Sequence, residues 1–358
     1  MTGLVAVILP LYVSILSLIF GYDEAELVFV GDAMQHSAQL DAARCGKNTY
    51  DYSSYFASLP PCVAMADFAV VNLETPVSRP PYSGYPCFNA PPEFASALKE
   101  AGFDLFLTAN NHTLDRGGAG LRATIANLDT LGVKHLGTYE CDSARAKALP
   151  LIANINNIKV GFLNYTYGTN GINPSQGVVV DYIDRDRIKA DVDSTRAAGA
   201  EAIAVCIHWG DEYVLLPNKS QQRTADFLEA LGVDMIIGAH PHVIQPMEFR
   251  PNRYYPEKNI FLVYSLGNFV SNMKTPDTRG GALAQVRLKR GEDNKITVSE
   301  AYYKLLFTIP GTSPKNNYKV LEADKVEDPA WRSKAETFIS RAKAIFDKHN
   351  IAVPESTE

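Results

Sequence analysis

The chain has no lysine or arginine before Arg44. Its apolar opening, Leu4 to Phe20, therefore lacks the basic start of a secretory signal and the charge bias that orients a membrane anchor. The run is at the lower length limit for a spanning helix and is interrupted by Pro10. No cysteine stands near its end, which disfavours a lipoprotein, and Ile19-Phe20-Gly21 is a poor cleavage site. Residues 1–22 are read as a cleaved signal peptide in preference to a retained membrane anchor. Either way, the expected location is exported, at the cell envelope. A basic surface stripe is missing as well: the formal net charge is -6, which argues against a nucleic-acid partner. Cysteine is sparse, and Cys45, Cys62, Cys87, Cys141 and Cys206 match no zinc-knuckle or C-x-x-C spacing. In an exported chain the first four leave room for two bridges of open connectivity. Cys206, inside an apolar run, reads as a buried free thiol. There is no internal repeat and no low-complexity linker.

What is present suffices for one large domain. The 358 residues are 46% hydrophobic and 21% charged, with 18 Tyr and 16 Phe, so no structural metal is needed to hold a core. Five of the seven histidines sit in short polar clusters or beside them, each cluster following an apolar, β-branched run. In order these are LVFV before GDAMQH (Asp32, His36), FAVV before NLE (Asn72, Glu74), and LFLTA before NNHTLD (Asn111, His112, Asp115). AIAVCI then precedes HWGDEY (His208, Trp209, Glu212, Tyr213), and MIIGA precedes HPHVIQ (His240, His242, Gln245). A sixth junction, FLVY-SLGNF, carries Ser265 and Asn268. Short apolar runs of this kind read as buried strands, and in open α/β sheets ligands gather beyond the carboxyl ends of strands. The expectation is that these segments meet at one sheet edge.

Helical patterns alternate with the strands. Helices are predicted from Pro91 to Gly102, Gly118 to Leu131, Arg185 to Ala198, Ser220 to Leu231 and Ala330 to His349. Two stretches break the alternation. Leu151–Asn154 and Val160–Tyr165 flank a predicted hairpin turn at Asn156-Asn157. The tail from Ala282 reads as three antiparallel strands, Leu283–Leu288, Lys295–Val298 and Tyr303–Ile309, around a turn at Gly291–Asn294. The predicted class is α/β: mixed sheets, two of them packed together, with outer helices. Gly168–Gly177 is a Gly/Asn/Pro/Ser loop that either overhangs the sheet edge or lies on the surface. His135 and His349 read as structural or solvent-facing.

Asp, Glu, Asn and His together are first-row metal ligands. His240-Pro-His242 after a strand sends both imidazoles one way if the strand alternation persists. One Asp, one Glu, one Asn and three His exceed a single tetrahedral centre. They match two ions about 3.5–4 Å apart sharing a bridging carboxylate. Each motif alone also fits a turn or a packed polar pair; their joint fall at successive strand ends points to a shared site.

As a set, GDAMQH, NLETPVS, LTANNHTLDRG, HWGDEY, GAHPHVIQ and SLGNFV resemble the CapA-like capsule-synthesis family linked to poly-γ-glutamate, from about Leu27 to Asn272. That family in turn resembles the calcineurin-like metallophosphoesterases, a four-layer αββα sandwich with a two-metal site and motifs D-x-H, GD-x-x-D, GNH, H and GHxH. The resemblance implies a domain over 26–312 and a C-terminal helical extension over 313–358. It makes Asp32, Glu74, Asn111, His208, His240 and His242 metal ligands. His208 and His240 match one ion, and His242 joins Asp32 on the other. His112, helped by Asp115, becomes the proton donor to a leaving group. The His of D-x-H falls on Met34, so that ligand is missing, and His36 is the nearest substitute. His36, Asn72, Trp209, Glu212, Tyr213, Gln245, Ser265 and Asn268 are expected to line the pocket or orient ligands.

The implied cofactor is one or two divalent ions, Mn, Fe, Zn or Mg. The implied partners are an anionic surface polymer or its precursor and components of a membrane polymer synthase. The leading expectation is an exported metal-dependent hydrolase acting in capsule or poly-γ-glutamate-type polymer synthesis or anchoring. Two alternatives share the site: a non-catalytic polymer-binding accessory protein, and an amidase or transferase that attaches the polymer to the envelope.

Overall fold

A computed structural model describes residues 24–357. The signal or anchor expected over residues 1–22 lies outside them. The chain begins β1 (Glu24–Ala33), α1 (Ser37–Ala43), α2 (Pro61–Met65), β2 (Phe68–Leu73), α3 (Pro92–Glu100), β3 (Leu105–Leu107), α4 (Gly117–Leu131) and β4 (Lys134–Leu136). It continues β5 (Thr138–Tyr139), α5 (Asp142–Ala148), β6 (Leu151–Ile155), β7 (Ile158–Thr166), β8 (Val179–Val180), α6 (Arg185–Ala197) and β9 (Ala202–His208). Next come α7 (Lys219–Ala230), β10 (Met235–Ala239), β11 (Met247–Pro251), β12 (Asn259–Val263) and β13 (Asn268–Val270). It ends with β14 (Gly280–Arg290), β15 (Ile296–Ile309), β16 (Lys319–Glu322) and α8 (Pro329–His349).

Two mixed sheets carry the fold. The first has the order β16-β15-β14-β1-β2-β3-β4, with β13 also on β1; the second has the order β11-β12-β10-β9-β7-β6. Period-two alternation in β1 sends Leu27 and Phe29 between the sheets and Val28 and Val30 outward beneath α1, α2 and α3. In β9, Ala204 and Cys206 face the first sheet, while Ile203, Val205 and Ile207 pack under Ile188 and Val192 of α6 and Ala225 and Leu228 of α7. The expected αββα sandwich is therefore present, each sheet buried on both faces as its near-continuous apolar strands require.

The six strand–polar junctions do not share one sheet. β1, β2 and β3 belong to the first and β9, β10 and β12 to the second. Their carboxyl ends meet because the sheets pack face to face.

The Asn156-Asn157 hairpin forms, with both residues at positive φ (48° and 64°), the values a two-residue primed turn needs. The two final strands expected at 295–298 and 303–309 are one continuous strand, β15. A register shift opposite Arg287/Leu288 absorbs the break in its pattern. Residues 313–358 contribute strand β16 as well as α8, whose Phe338 and Phe346 pack on Phe307 and Tyr303 of β15. His349, at the end of α8, is half-buried rather than open to solvent. All five cysteines are free thiols, so neither of the two possible bridges is formed; Cys206 is buried as expected. Among the described residues no helix is long and apolar enough to cross a membrane.

Candidate metal centre

β1 reaches the site through a tight passage. Gly31 lies where a Cβ would collide with the carbonyl oxygen of Gly267, and the β1–β2 register shifts between Val30 and Asp32. The shift aims Asp32, fully buried, into the gap between the sheets. Its Oδ1 accepts from the Asn72 amide (2.7 Å), and its Oδ2 accepts from the His240 backbone N–H (3.3 Å) and lies 3.1 Å from Nδ1 of His242. Asn72, at the end of β2, also sits 3.3 Å from Nδ1 of His208, so one amide orients residues of both sheets.

Glu74 is the centre of the cluster. It is fully buried, and among the described residues neither carboxylate oxygen has a hydrogen-bond partner. One of them lies 3.5 Å from Nε2 of His208 and 3.8 Å from Nε2 of His242. Burial, then the neighbouring Asp32 carboxylate, pushes its pKa well above the usual carboxylate range. An unpartnered carboxylate beside a second one is costly to bury, and a cation removes that cost. Glu74, His240 and His242 form one group able to hold a metal, and Asp32, Glu74 and His208 form another, with Glu74 common to both.

His208 and His240 are held toward the neutral, ligating form. Burial, then the other histidines, holds His208 well below its ordinary pKa, and burial and His242 lower His240 to about 3. Neutral imidazole is the form that binds metal. His240 is buried with Nδ1 unpartnered, its ring 4.7 Å from that of His208 and 4.6 Å from that of Tyr167. His240 and His242 have φ of 102° and 58°. The alternation expected of a strand thus ends at Ala239, and both rings are aimed by left-handed backbone that histidine rarely adopts. His242 Nδ1 is 3.0 Å from Asn268 Oδ1, and the Asn268 amide donates to the Thr278 carbonyl. The structure thus places Asp32, Glu74, Asn111, His208, His240 and His242 in one cluster; Asn111 Oδ1 is 2.8 Å from Nε2 of His208. This donor set, with unpartnered buried oxygens and nitrogen at its middle, fits a divalent ion.

A cleft of about 480 Å³ opens over the cluster, lined among others by Met34, Asn111, His112, Glu212, Tyr213 and His242. His112 stands in it with Nδ1 2.8 Å from Asp115 Oδ2 and the Phe88 ring packed on its own. Met34, buried and apolar, occupies the place where the motif expects a ligand. His36 lines the cleft as expected but belongs to neither ligand group. It caps α1, its Nδ1 facing Gln39 and the Asn272 N–H, and burial lowers its pKa to about 4.

Other expected residues sit further out. Trp209 is in the core beneath α7, donating to the Tyr264 carbonyl. Gln245 ties Gln221 to the Val214 carbonyl, and Ser265 braces the Val243 and Gly267 backbone. Sequence reasoning did not single out Tyr167 or Asn170. Asn170 Oδ1 accepts from the Asn111 amide at 3.3 Å, so the Gly168–Gly177 loop does overhang the site. Only its Gly/Asn composition marked that loop.

The site is thus a buried carboxylate–imidazole cluster, with two residue groups able to hold a metal, at the end of an αββα sandwich. The profile of the bacterial capsule synthesis protein PGA_cap family matches residues 26–273, and the chain belongs to that family. It is 27% identical over 325 residues to the capsule biosynthesis protein CapA of Bacillus anthracis, covering 85% of this chain and 72% of the relative. To the PGA biosynthesis protein CapA of Bacillus subtilis (strain 168) it is 28% identical, covering 78% and 73%. Among solved structures it overlays the Haemophilus influenzae NAD nucleotidase at TM-score 0.49 with 12% identity, covering 91% of this chain and 68% of that one. The calcineurin-like phosphoesterase YfkN of Bacillus subtilis gives 0.43 with 13% identity, covering 89% and 99%.

Proposed function

We propose that this chain is an exported metal-dependent hydrolase, phosphoesterase-like in its site, that acts on an anionic surface polymer or its precursor during polymer synthesis or anchoring. One observation carries the reading: Glu74, fully buried with both oxygens unpartnered, lies among the His208, His240 and His242 imidazoles and Asp32. Family membership supplies the capsule context. Asp32, Glu74, Asn111, His208, His240 and His242 hold one or two divalent ions, Mn, Fe, Zn or Mg. When bound, such an ion would supply Lewis acidity toward a substrate oxygen or water. The chain's own work is orientation and proton transfer. Asn72 and Asn268 fix the ligands, and Asp115 holds the His112 ring so that it can protonate the departing oxygen. The polymer, and components of a membrane polymer synthase, are the partners proposed.

Mass-spectrometric metal analysis, with hydrolysis of a generic phosphodiester in added Mn²⁺, tests this. His240→Ala is expected to lose both metal and turnover; unchanged metal content overturns the ligand set. Met34 favours a second reading, a polymer-binding accessory protein with an incomplete site. Polymer binding without hydrolysis under any of the metals selects it. Attachment of the polymer by an amidase or transferase reaction is distinguished by its products.

A further inference from the structure

A second concavity lies beside the cleft. It is a groove of about 530 Å³ along one face of α4, floored by Ala119, Gly120, Ala123 and Ala126 and walled by Arg79, Arg116 and Arg122. On a chain of net charge -6 this is a local excess of positive charge, since among the described residues Glu140 is the only acid lining it. Among the described residues, none of the three guanidiniums has a carboxylate within ion-pair distance, whereas Arg145, Arg250, Arg253, Arg287 and Arg290 all do. Arg79 is exposed, and Arg122 is steadied by the carbonyls of Glu140 and Gln176. Small side chains on the floor keep the groove open between the three arginines, a lining suited to anionic groups.

The groove is joined to the cleft in two places. Arg116 follows Asp115, which holds His112, and its guanidinium is 3.9 Å from the Cys87 sulfur, next to Pro86 of the cleft wall. The Gly168–Gly177 loop lends Asn170 to the cleft and Gln176 to the groove.

We propose that this arginine groove is a binding track for an extended polyanion, a chain with recurring carboxylates or phosphates, and that it delivers the chain toward His112. The delivery rests on the hydrolase reading above; the binding does not. The test uses the full chain with fluorescently labelled polyglutamate and polyphosphate, read by anisotropy over a salt series. Arg79→Glu and the pair Arg79→Glu/Arg116→Glu are compared with Arg223→Glu. That control makes the same charge change as the single variant, at an exposed site on α7. Each exposed guanidinium contact is modest, so reversal of Arg79 is expected to weaken binding about tenfold and flatten the salt dependence. Arg223→Glu should bind as the parent does. The polymer that loses affinity on reversal identifies the anion class. Metal content and melting temperature are expected to stay at parental values, which separates this result from failure of the metal site. Equal affinity in all variants, or equal loss in Arg223→Glu, overturns the proposal. Polymer binding that depends on Arg79 with no hydrolysis retains the track and rejects the hydrolase.

Discussion

Asn111 and His208 meet at 2.8 Å, yet they come from different sheets: Asn111 follows β3 of the first, and His208 ends β9 of the second. The contact spans the sandwich. Asp32 and His242, 3.1 Å apart, repeat the relationship from β1 to the turn after β10. Each half of the ligand set is supplied by one layer, and the geometry of the centre depends on how the layers pack.

Glu74→Gln separates metal binding from folding. The variant removes a buried, unpartnered carboxyl group, so the metal-free protein should melt at the parental temperature or above it. The parent should gain stability on metal addition, about 2.7 kcal/mol at about a hundred times Kd. The variant should lose most of that gain. Thermal melts with chelator and with Mn²⁺ measure this; a full gain in the variant places the metal elsewhere.

His112 lines the cleft without joining either ligand group. His112→Ala is therefore expected to keep its metal while hydrolysis falls about 10²–10⁴-fold, the usual cost of losing a positioned acid. Metal analysis beside turnover decides it, since loss of metal would make His112 a ligand.

Gly31→Ala should be among the most damaging small substitutions in the chain. The new methyl would fall on the Gly267 carbonyl, which is backbone and cannot rotate away. A cost of several kcal/mol is expected, of the kind seen for overpacking (about 1–3 kcal/mol, or more against backbone). Chemical denaturation measures it, and parental stability would refute the close approach described at β1.

Acid stability should depend on Glu229. Burial alone would raise its pKa, but hydrogen bonds from Arg250 and Arg253 outweigh it and bring the carboxyl down to about 2. The unfolded chain takes up its proton near pH ~4.3, so folded protein holds fewer protons below that. The stabilisation is complete above that range and is lost as pH falls toward about 2. Glu229→Gln should lose about 2 kcal/mol at neutral pH, because Arg253 is half-exposed and the pair is partly screened. Its stability should vary less with pH through the acid range. Urea titrations across that range supply the test.

Thiol reactivity should follow burial. A hydrogen bond with the Ser143 hydroxyl holds the Cys141 thiol below its ordinary pKa, whereas burial pushes Cys62 up to about 11 and Cys206 further. Alkylation followed by peptide mapping should label Cys141 before either of them. A disulfide at any of these positions would contradict the free-thiol arrangement.

Much of this was legible before any coordinates. Six apolar runs became the six strands that border the site, because continuous β-branched stretches have few alternatives. The residue types of the cluster were legible too, since each directly follows such a run. Assignment of strands to sheets was not, because a period-two pattern does not say which sheet a strand joins. Nor was the conformation of His240 and His242, where positive φ overrides strand alternation. Tyr167 and Asn170 lie in or beside a loop without periodicity, and their place is set by contacts across the cleft. The cysteines remained open because pairing depends on distances that only the packed fold defines.

The division of ligands between two layers has a consequence for how the molecule comes apart. On the proposed ligand set, an ion held by Asp32 and Glu74 on one side and His208, His240 and His242 on the other would be a rivet through the sandwich. Loosening either layer dismantles the site, and a loaded site resists the parting of both. Metal occupancy should therefore make the two halves unfold together, and a fragment containing only one sheet should not retain the ion.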